Sequence, residues 1–215
     1  MKSLSMSALA ISVFVVSALT LSGCTTSGTT GTVKSPASSP SSASSTVSRI
    51  QINGDSLDVL DASGDSIKQI AYSADIAKTV SSLESLLGEK ATHSTLPASS
   101  CNTDQDVYDW GDALNIRFPA GTDLDHPTIR ATSNGQSIGD VTVGAPGDVG
   151  VGDLGSALLT AVPCSVVDDS IQPTTPPTQL WYDFDAKDDG AFVRADATTG
   201  KITTIMAPLA KVDYC

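Results

Sequence analysis

Apolar residues are distributed along this chain in three regimes. From Ala8 to Leu21 they run together without a charge, through Ile11, Val13, Phe14, Val15 and Val16. From Thr25 to Ser48 they almost vanish: 15 of those 24 residues are Ser or Thr, with two Gly and two Pro. From Ile50 onward they return in short periodic groups separated by turn residues, as in a folded domain.

The periodic region predicts its own elements. Ile50 and Ile52, then Leu57, Val59 and Leu60, then Ile67 and Ile70 flank Asn53-Gly54-Asp55 and Ser63-Gly64-Asp65, two turns ten residues apart. That spacing predicts an antiparallel meander. Ile76, Val80, Leu83 and Leu87 recur at four, three and four residues, the stripe of a helix that Ser73 could cap and Gly88 could end. A loop through Pro97 and Cys101 is expected next. Leu114, Ile116 and Phe118 then alternate as in a half-buried strand, with Tyr108 and Trp110 before them and a turn at Gly111-Asp112.

The second half runs in a similar order. Ile129 lies in a short strand, Asn134-Gly135 is a turn, and Val141 and Val143 follow. Asp153 could cap a short helix through Leu154, Leu158 and Val162, stopped by Pro163. After a Pro/Thr-rich loop at 173–178, residues 180–184, Phe192 to Arg194 and Ile202 to Met206 form a three-strand meander, with turns at 185–190 and Thr199-Gly200. The expected fold class is α+β: antiparallel meanders packed with two short helices. Trp110 and Trp181 stand 71 residues apart, and Ile76 and Leu154 stand 78 apart. Two divergent α+β halves would give this order, and so would two unrelated units of the same class.

Charge narrows the partners. The 215 residues carry 12 basic and 24 acidic side chains, a formal net charge of −12. Such a surface repels nucleic acid and anionic lipid alike. The acids are scattered rather than run together, as on a soluble exported surface.

The N-terminal regime has a more specific reading. Lys2 precedes an uncharged stretch of 14 residues, short for a membrane span of about 20 and suited to a signal-peptide core. It ends in Leu21-Ser22-Gly23-Cys24, which resembles the bacterial lipobox. The resemblance implies that the Cys24 thiol receives a diacylglyceryl group and that the chain is cut between Gly23 and Cys24. Residues 1–23 would then be a lipoprotein signal peptide. A plain secretory signal fits less well, because no Ala-x-Ala-like site is evident. Palmitate-type chains on Cys24 would hold the protein to the cell membrane on its extracytoplasmic side, and two chains anchor stably where one does not. Lys2 is the only charge removed, so the mature chain would be one unit more negative. Residues 24–48 read as a flexible stalk, too poor in apolar surface to offset ordering entropy and spanning roughly 25–30 Å. Residues 49–215 suffice for one compact domain.

Three further cysteines remain: Cys101, Cys164 and Cys215. In an oxidising compartment one disulfide is expected, with one thiol left over. Cys101–Cys215 is preferred because it would tie down the C-terminus, though spacing alone does not decide among the three pairings. No C-x-x-C pair occurs and His93 lies far from His126, so no zinc site or other metal site is assigned.

The folded region also resembles uncharacterised lipoproteins of high-GC Gram-positive bacteria. The residues that carry this are Asp109-Trp110-Gly111-Asp112 with Leu114-Asn115-Ile116, the segment from Thr132 through Gly135 to Gly139, and the ending from Gly200-Lys201-Ile202 to Ala207-Pro208 and Cys215. The resemblance implies an address and no known activity.

Two patterns along the chain resemble catalytic or metal-binding motifs. Gly54-Asp55-Ser56-Leu57 spells the nucleophile block of the GDSL esterases, and Asp123 to His126 offers the Asp-x-x-His that such a serine requires. Against that reading, the domain begins with a meander rather than a βαβ unit, and Gly64-Asp65-Ser66 repeats the motif as turn chemistry. Asp183, Asp185, Asp188 and Asp189 do not keep the spacing of a calcium loop, so a solvated turn is preferred. No phosphate-binding Gly loop and no cofactor motif is present. The expectation is a non-enzymatic binding module with no assigned catalytic residue, its Trp-bearing strands presenting the binding face to an envelope ligand or protein. A secreted esterase using Ser56 and a protein-inhibitor-like module are the alternatives.

Overall fold

The computed structural model describes residues 46–98, 104–119, 129–163, 165–167, 178–184 and 190–208. Every described residue lies within one compact unit of the chain.

The elements are β1 (Val47–Ile52), β2 (Ser56–Asp61), β3 (Ser66–Ala71), α1 (Ile76–Leu87), β4 (Thr92–Leu96), β5 (Gln105–Trp110), β6 (Leu114–Pro119), β7 (Arg130–Ser133), β8 (Ser137–Ile138), β9 (Val141–Ala145), β10 (Val149–Gly150), α2 (Gly155–Ala161), β11 (Val166–Val167), β12 (Gln179–Asp183), β13 (Phe192–Asp196) and β14 (Ile202–Ala207). They form two sheets. One has the order β10-β9-β1-β2-β3, with β8 also on β9; the other runs β11-β12-β13-β14-β7-β6-β5-β4. The α+β class with two short helices is therefore what the chain adopts.

The order repeats. Three strands enter the first sheet, a helix follows, and four strands enter the second sheet; β8 to β14 then do the same. In the eight-stranded sheet the two four-strand blocks meet through their last strands, β7 and β14, which pair antiparallel through Ala131↔Ala207, Thr132↔Met206 and Ser133↔Ile205.

Both sheets turn one face to a common core. Ile50 and Ile52 of β1, Leu57 and Val59 of β2 and Val143 of β9 meet Leu114, Ile116 and Phe118 of β6 and Ile205 of β14 in a single buried cluster. The β6 alternation buries as the period of two requires. Each helix bridges the sheets. Val80 and Leu83 of α1 are buried in the core, Lys68 Nζ of β3 donates to its Ser82 Oγ at 2.8 Å, and Trp110 Nε1 of β5 donates to Glu89 O just beyond it at 3.1 Å. Leu158 of α2 is fully buried, and this helix packs on β10 as well as on β12 and β13.

Five details differ from the sequence expectation. Asp75, not Ser73, caps α1: its side chain accepts from Lys78 N at 2.9 Å, while Ser73 lies in the preceding turn. Asp153 does not cap α2. Its Oδ2 accepts from Gly150 N at 2.8 Å, and the first N–H of α2, Gly155 N, is taken by Gly200 O at 2.9 Å. β4 occupies part of the expected loop, and β1 begins at Val47, inside the Ser/Thr-rich stretch. One pairing is parallel: β1 lies beside β9 with Arg49↔Thr142, Ile50↔Val143 and Gln51↔Gly144. Gly88 does end α1 in the left-handed region, at φ 67°.

Candidate functional site

The face of the eight-stranded sheet turned away from the core carries the densest chemistry among the described residues. Cross-strand partners share a face, so the pairing itself fixes which side chains stand together. One row runs Asp183, Phe192, Met206, Thr132, Asn115, Asp109 and Thr92 across seven strands, from β12 to β4. Beside it on one side are Trp181, Arg194 and Thr204. On the other side are Arg130, Arg117, Val107 and Ser94.

Trp181 and Phe192 are 8 % and 1 % exposed, and they form a small cluster with Met206 separate from the main core. Their rings meet edge to face at 6.4 Å between centroids. The Arg194 guanidinium lies 6.0 Å from the Trp181 ring centroid and donates through Nη2 to Thr204 Oγ1 at 2.7 Å. Thr204 Oγ1 in turn donates to Asn134 Oδ1 at 2.9 Å. Further along, Arg117 Nε donates to Asn115 Oδ1 at 2.8 Å, and Asn115 Nδ2 donates to Asp109 Oδ1. Arg117 and Arg130 are direct cross-strand neighbours, an arrangement of like charges that is unfavourable by itself. Three of the chain's four arginines thus stand on one face of a strongly acidic protein. Within the described residues, Arg117 and Arg194 donate to neutral oxygens.

These arginines are far apart in the sequence. A signal existed: Asn115 and Arg117 alternate with Leu114, Ile116 and Phe118, which assigns both polar residues to the outer face. Assembling them with Arg130 and Arg194 required the β6–β7 and β7–β14 pairings, which no local pattern encodes.

A second feature lies on the outer face of the six-stranded sheet. A hollow of about 350 Å³ is bounded by Arg49, Thr142, Gly144, Asp148 and Asp153 among others. Arg49 Nη2 donates to Ala145 O at 2.6 Å, and its Nη1 pairs with Asp148, whose backbone is left-handed at φ 61°. Burial lowers the Arg49 pKa from its ordinary value. Gly144 is required here, because a Cβ would lie 2.6 Å from Val149 O.

Ser56 stands at the start of β2, 3 % exposed. Its hydroxyl lies 3.1 Å from Asp55 Oδ1 and 3.4 Å from Asp58 Oδ1, and it accepts from Gln69 Nε2 at 3.2 Å. Burial, reinforced by Asp55 and Asp58, raises the pKa of nearby Tyr72, whose hydroxyl donates to Asn53 O at 2.8 Å. The described histidine, His93, is on the other sheet; it stacks on Tyr108 at 4.6 Å, and its Nε2 lies 3.0 Å from Asp106 Oδ1. His126 lies outside the described residues, as do Cys24, Cys101, Cys164 and Cys215 and most of the acidic turn after Asp183. Trp110 and Tyr182 are core residues. Among the described residues no group of three or more His, Cys, Asp or Glu could hold a metal ion, and no helix is long and apolar enough to cross a membrane.

Comparison with protein-family models, with curated proteins and with solved structures returns no match to this chain.

Proposed function

We propose that this chain is a lipid-anchored extracytoplasmic lipoprotein whose domain is a non-enzymatic binding module, and that the outer face of its eight-stranded sheet engages an anionic component of the cell envelope. The observation that carries the reading is that Arg117, Arg130 and Arg194 share one outer sheet face, with Arg194 beside the Trp181–Phe192–Met206 cluster, in a chain of net charge −12. Guanidinium groups recognise oxyanions through paired N–H donors. Beside the Trp181 ring, the neutral Thr204 hydroxyl that Arg194 donates to leaves that guanidinium with charge still to be answered. The anchor reading rests on Leu21-Ser22-Gly23-Cys24 and the uncharged stretch before it.

Two experiments test the two parts. Envelope fractions are mixed with the domain and sedimented at low and at about 0.5 M salt, where screening within a few ångströms weakens exposed ionic contacts. Retention that falls with salt and is lost in the Arg117→Glu/Arg194→Glu variant, at unchanged melting temperature, supports the face; retention indifferent to both removes it. For the anchor, mass spectrometry of the mature N-terminus should find a lipid-modified Cys24. A chain still joined to Gly23, or an unmodified thiol, ends that part of the proposal.

A further inference from the structure

The two sheets have exposed ends, and all but one carry a device that discourages further pairing. β8, β10 and β11 are two residues long. β3 carries Lys68 at its centre, and its pairing with β2 shifts register between Val59↔Lys68 and Leu60↔Ser66. Short edges, edge lysines and bulges are the usual protections against an added strand. β4 has none of them. It pairs with β5 in five consecutive positions, from Thr92↔Asp109 to Leu96↔Gln105, without a shift. Its sequence, Thr-His-Ser-Thr-Leu, holds no Lys, Arg, Asp, Glu or Pro, and all five residues are exposed. Leu96 is among the few large apolar side chains left 40 % exposed.

The surroundings of β4 choose among possible occupants. Asp104, Asp106, Asp109 and Glu89 lie on or beside the paired strand and the approach to it. Of the nearby bases, Lys90 is held by Glu84 at 2.6 Å, and His93 of β4 itself has its Nε2 3.0 Å from Asp106 Oδ1. A second copy of this chain would bring the same acids against these ones. A segment bearing lysine or arginine would meet them favourably.

We infer that β4 is a docking edge for an extended, basic segment of a partner protein, which adds to the eight-stranded sheet as a ninth strand. Main-chain hydrogen bonds along Thr92 to Leu96 supply the binding, and alternate side chains of the incoming strand lie beside His93 and Thr95, with Asp106 one strand further in, on one face and beside Ser94 and Leu96 on the other. The inference goes beyond the anionic-ligand reading and does not depend on it, since it uses the edge of the sheet and not its arginine face.

The test uses the full chain and a blocked heptapeptide that alternates lysine with valine and threonine, read by amide hydrogen exchange over residues 92–96. Two control peptides accompany it: the glutamate counterpart, and the lysine peptide N-methylated at alternate residues so that it cannot form a ladder. Slower exchange by about tenfold with the lysine peptide alone, lost in Ser94→Lys at unchanged melting temperature and retained in Arg194→Glu, is the expected result. Absence of protection at millimolar lysine peptide overturns the inference. Equal protection by the glutamate or N-methylated peptide overturns it too. Protection that appears without peptide and grows with protein concentration assigns the edge to a second copy and overturns the partner assignment.

Discussion

At the scale of single residues, close approach and hydrogen-bond satisfaction decide more than polarity does. Gly155 opens α2 against the ring of Tyr182, and a Cβ there would lie 2.3 Å from Tyr182 Cε2. Tyr182 is itself buried and cannot step aside without disturbing the core. Gly155→Ala is therefore expected to destabilise the domain by about 1–3 kcal/mol, the usual cost of overpacking, despite the better helix propensity of alanine. Chemical denaturation of the variant checks this. Ser56 presents the opposite case. Its motif suggested a nucleophile, yet its hydroxyl is absorbed by Asp55, Asp58 and Gln69 within the sheet. Ser56→Ala should lower stability by roughly 1 kcal/mol and leave any background hydrolysis of p-nitrophenyl esters unchanged. A fall in hydrolysis to the buffer rate would restore the esterase reading.

At the scale of elements, what was legible in the sequence was what depends on neighbours in sequence. Leu114, Ile116 and Phe118 announced β6, and the Ile76-Val80-Leu83-Leu87 stripe with Gly88 announced α1, because period and left-handed glycine are local properties. The caps were misplaced by one to two residues because Ser73, Asp75, Asp153 and Leu154 are alternatives that local spacing barely separates. Asp75→Ala should cost about 1 kcal/mol while Ser73→Ala leaves the denaturation midpoint within a few tenths, which distinguishes the observed cap from the expected one. The β13–β14 turn adds a pH dependence. Asp196 Oδ1 accepts from Thr199 N at 2.8 Å, Thr199 Oγ1 at 2.9 Å and Thr198 N at 3.1 Å, and these bonds, led by Thr199 N, hold its pKa below the ordinary carboxylate value. A carboxylate with a depressed folded pKa stabilises fully above its unfolded value, about 4, and loses that contribution as pH falls through the lower folded value. The urea midpoint should thus drop between pH 6 and pH 2.5, and it should drop less in Asp196→Asn.

At the scale of the whole molecule, the sequence was silent where pairing is remote. β4 was missed because a polar, fully exposed edge strand has no hydrophobic period to reveal it. The parallel partnership of β1 with β9 joins residues some ninety positions apart, and no turn signal marks it. The arginine face depends on β7 meeting β14, so it emerged only with the topology. That same seam makes a prediction: a chain ended after Gly200 loses β14 and should fail to unfold cooperatively, as followed by circular dichroism, because the two four-strand blocks no longer join. The seam also bears on how the protein reaches its place. Neither sheet can close early in synthesis: one waits for β9 and the other for β14, the last strand before residue 208. Sheets that depend on remote pairing form slowly. On the proposed export route this delay is useful, since a polypeptide that cannot complete its sheets until residue 207 is made remains thin enough to be threaded through a secretion channel. Folding would then follow on the far side, with the N-terminus already fixed to lipid.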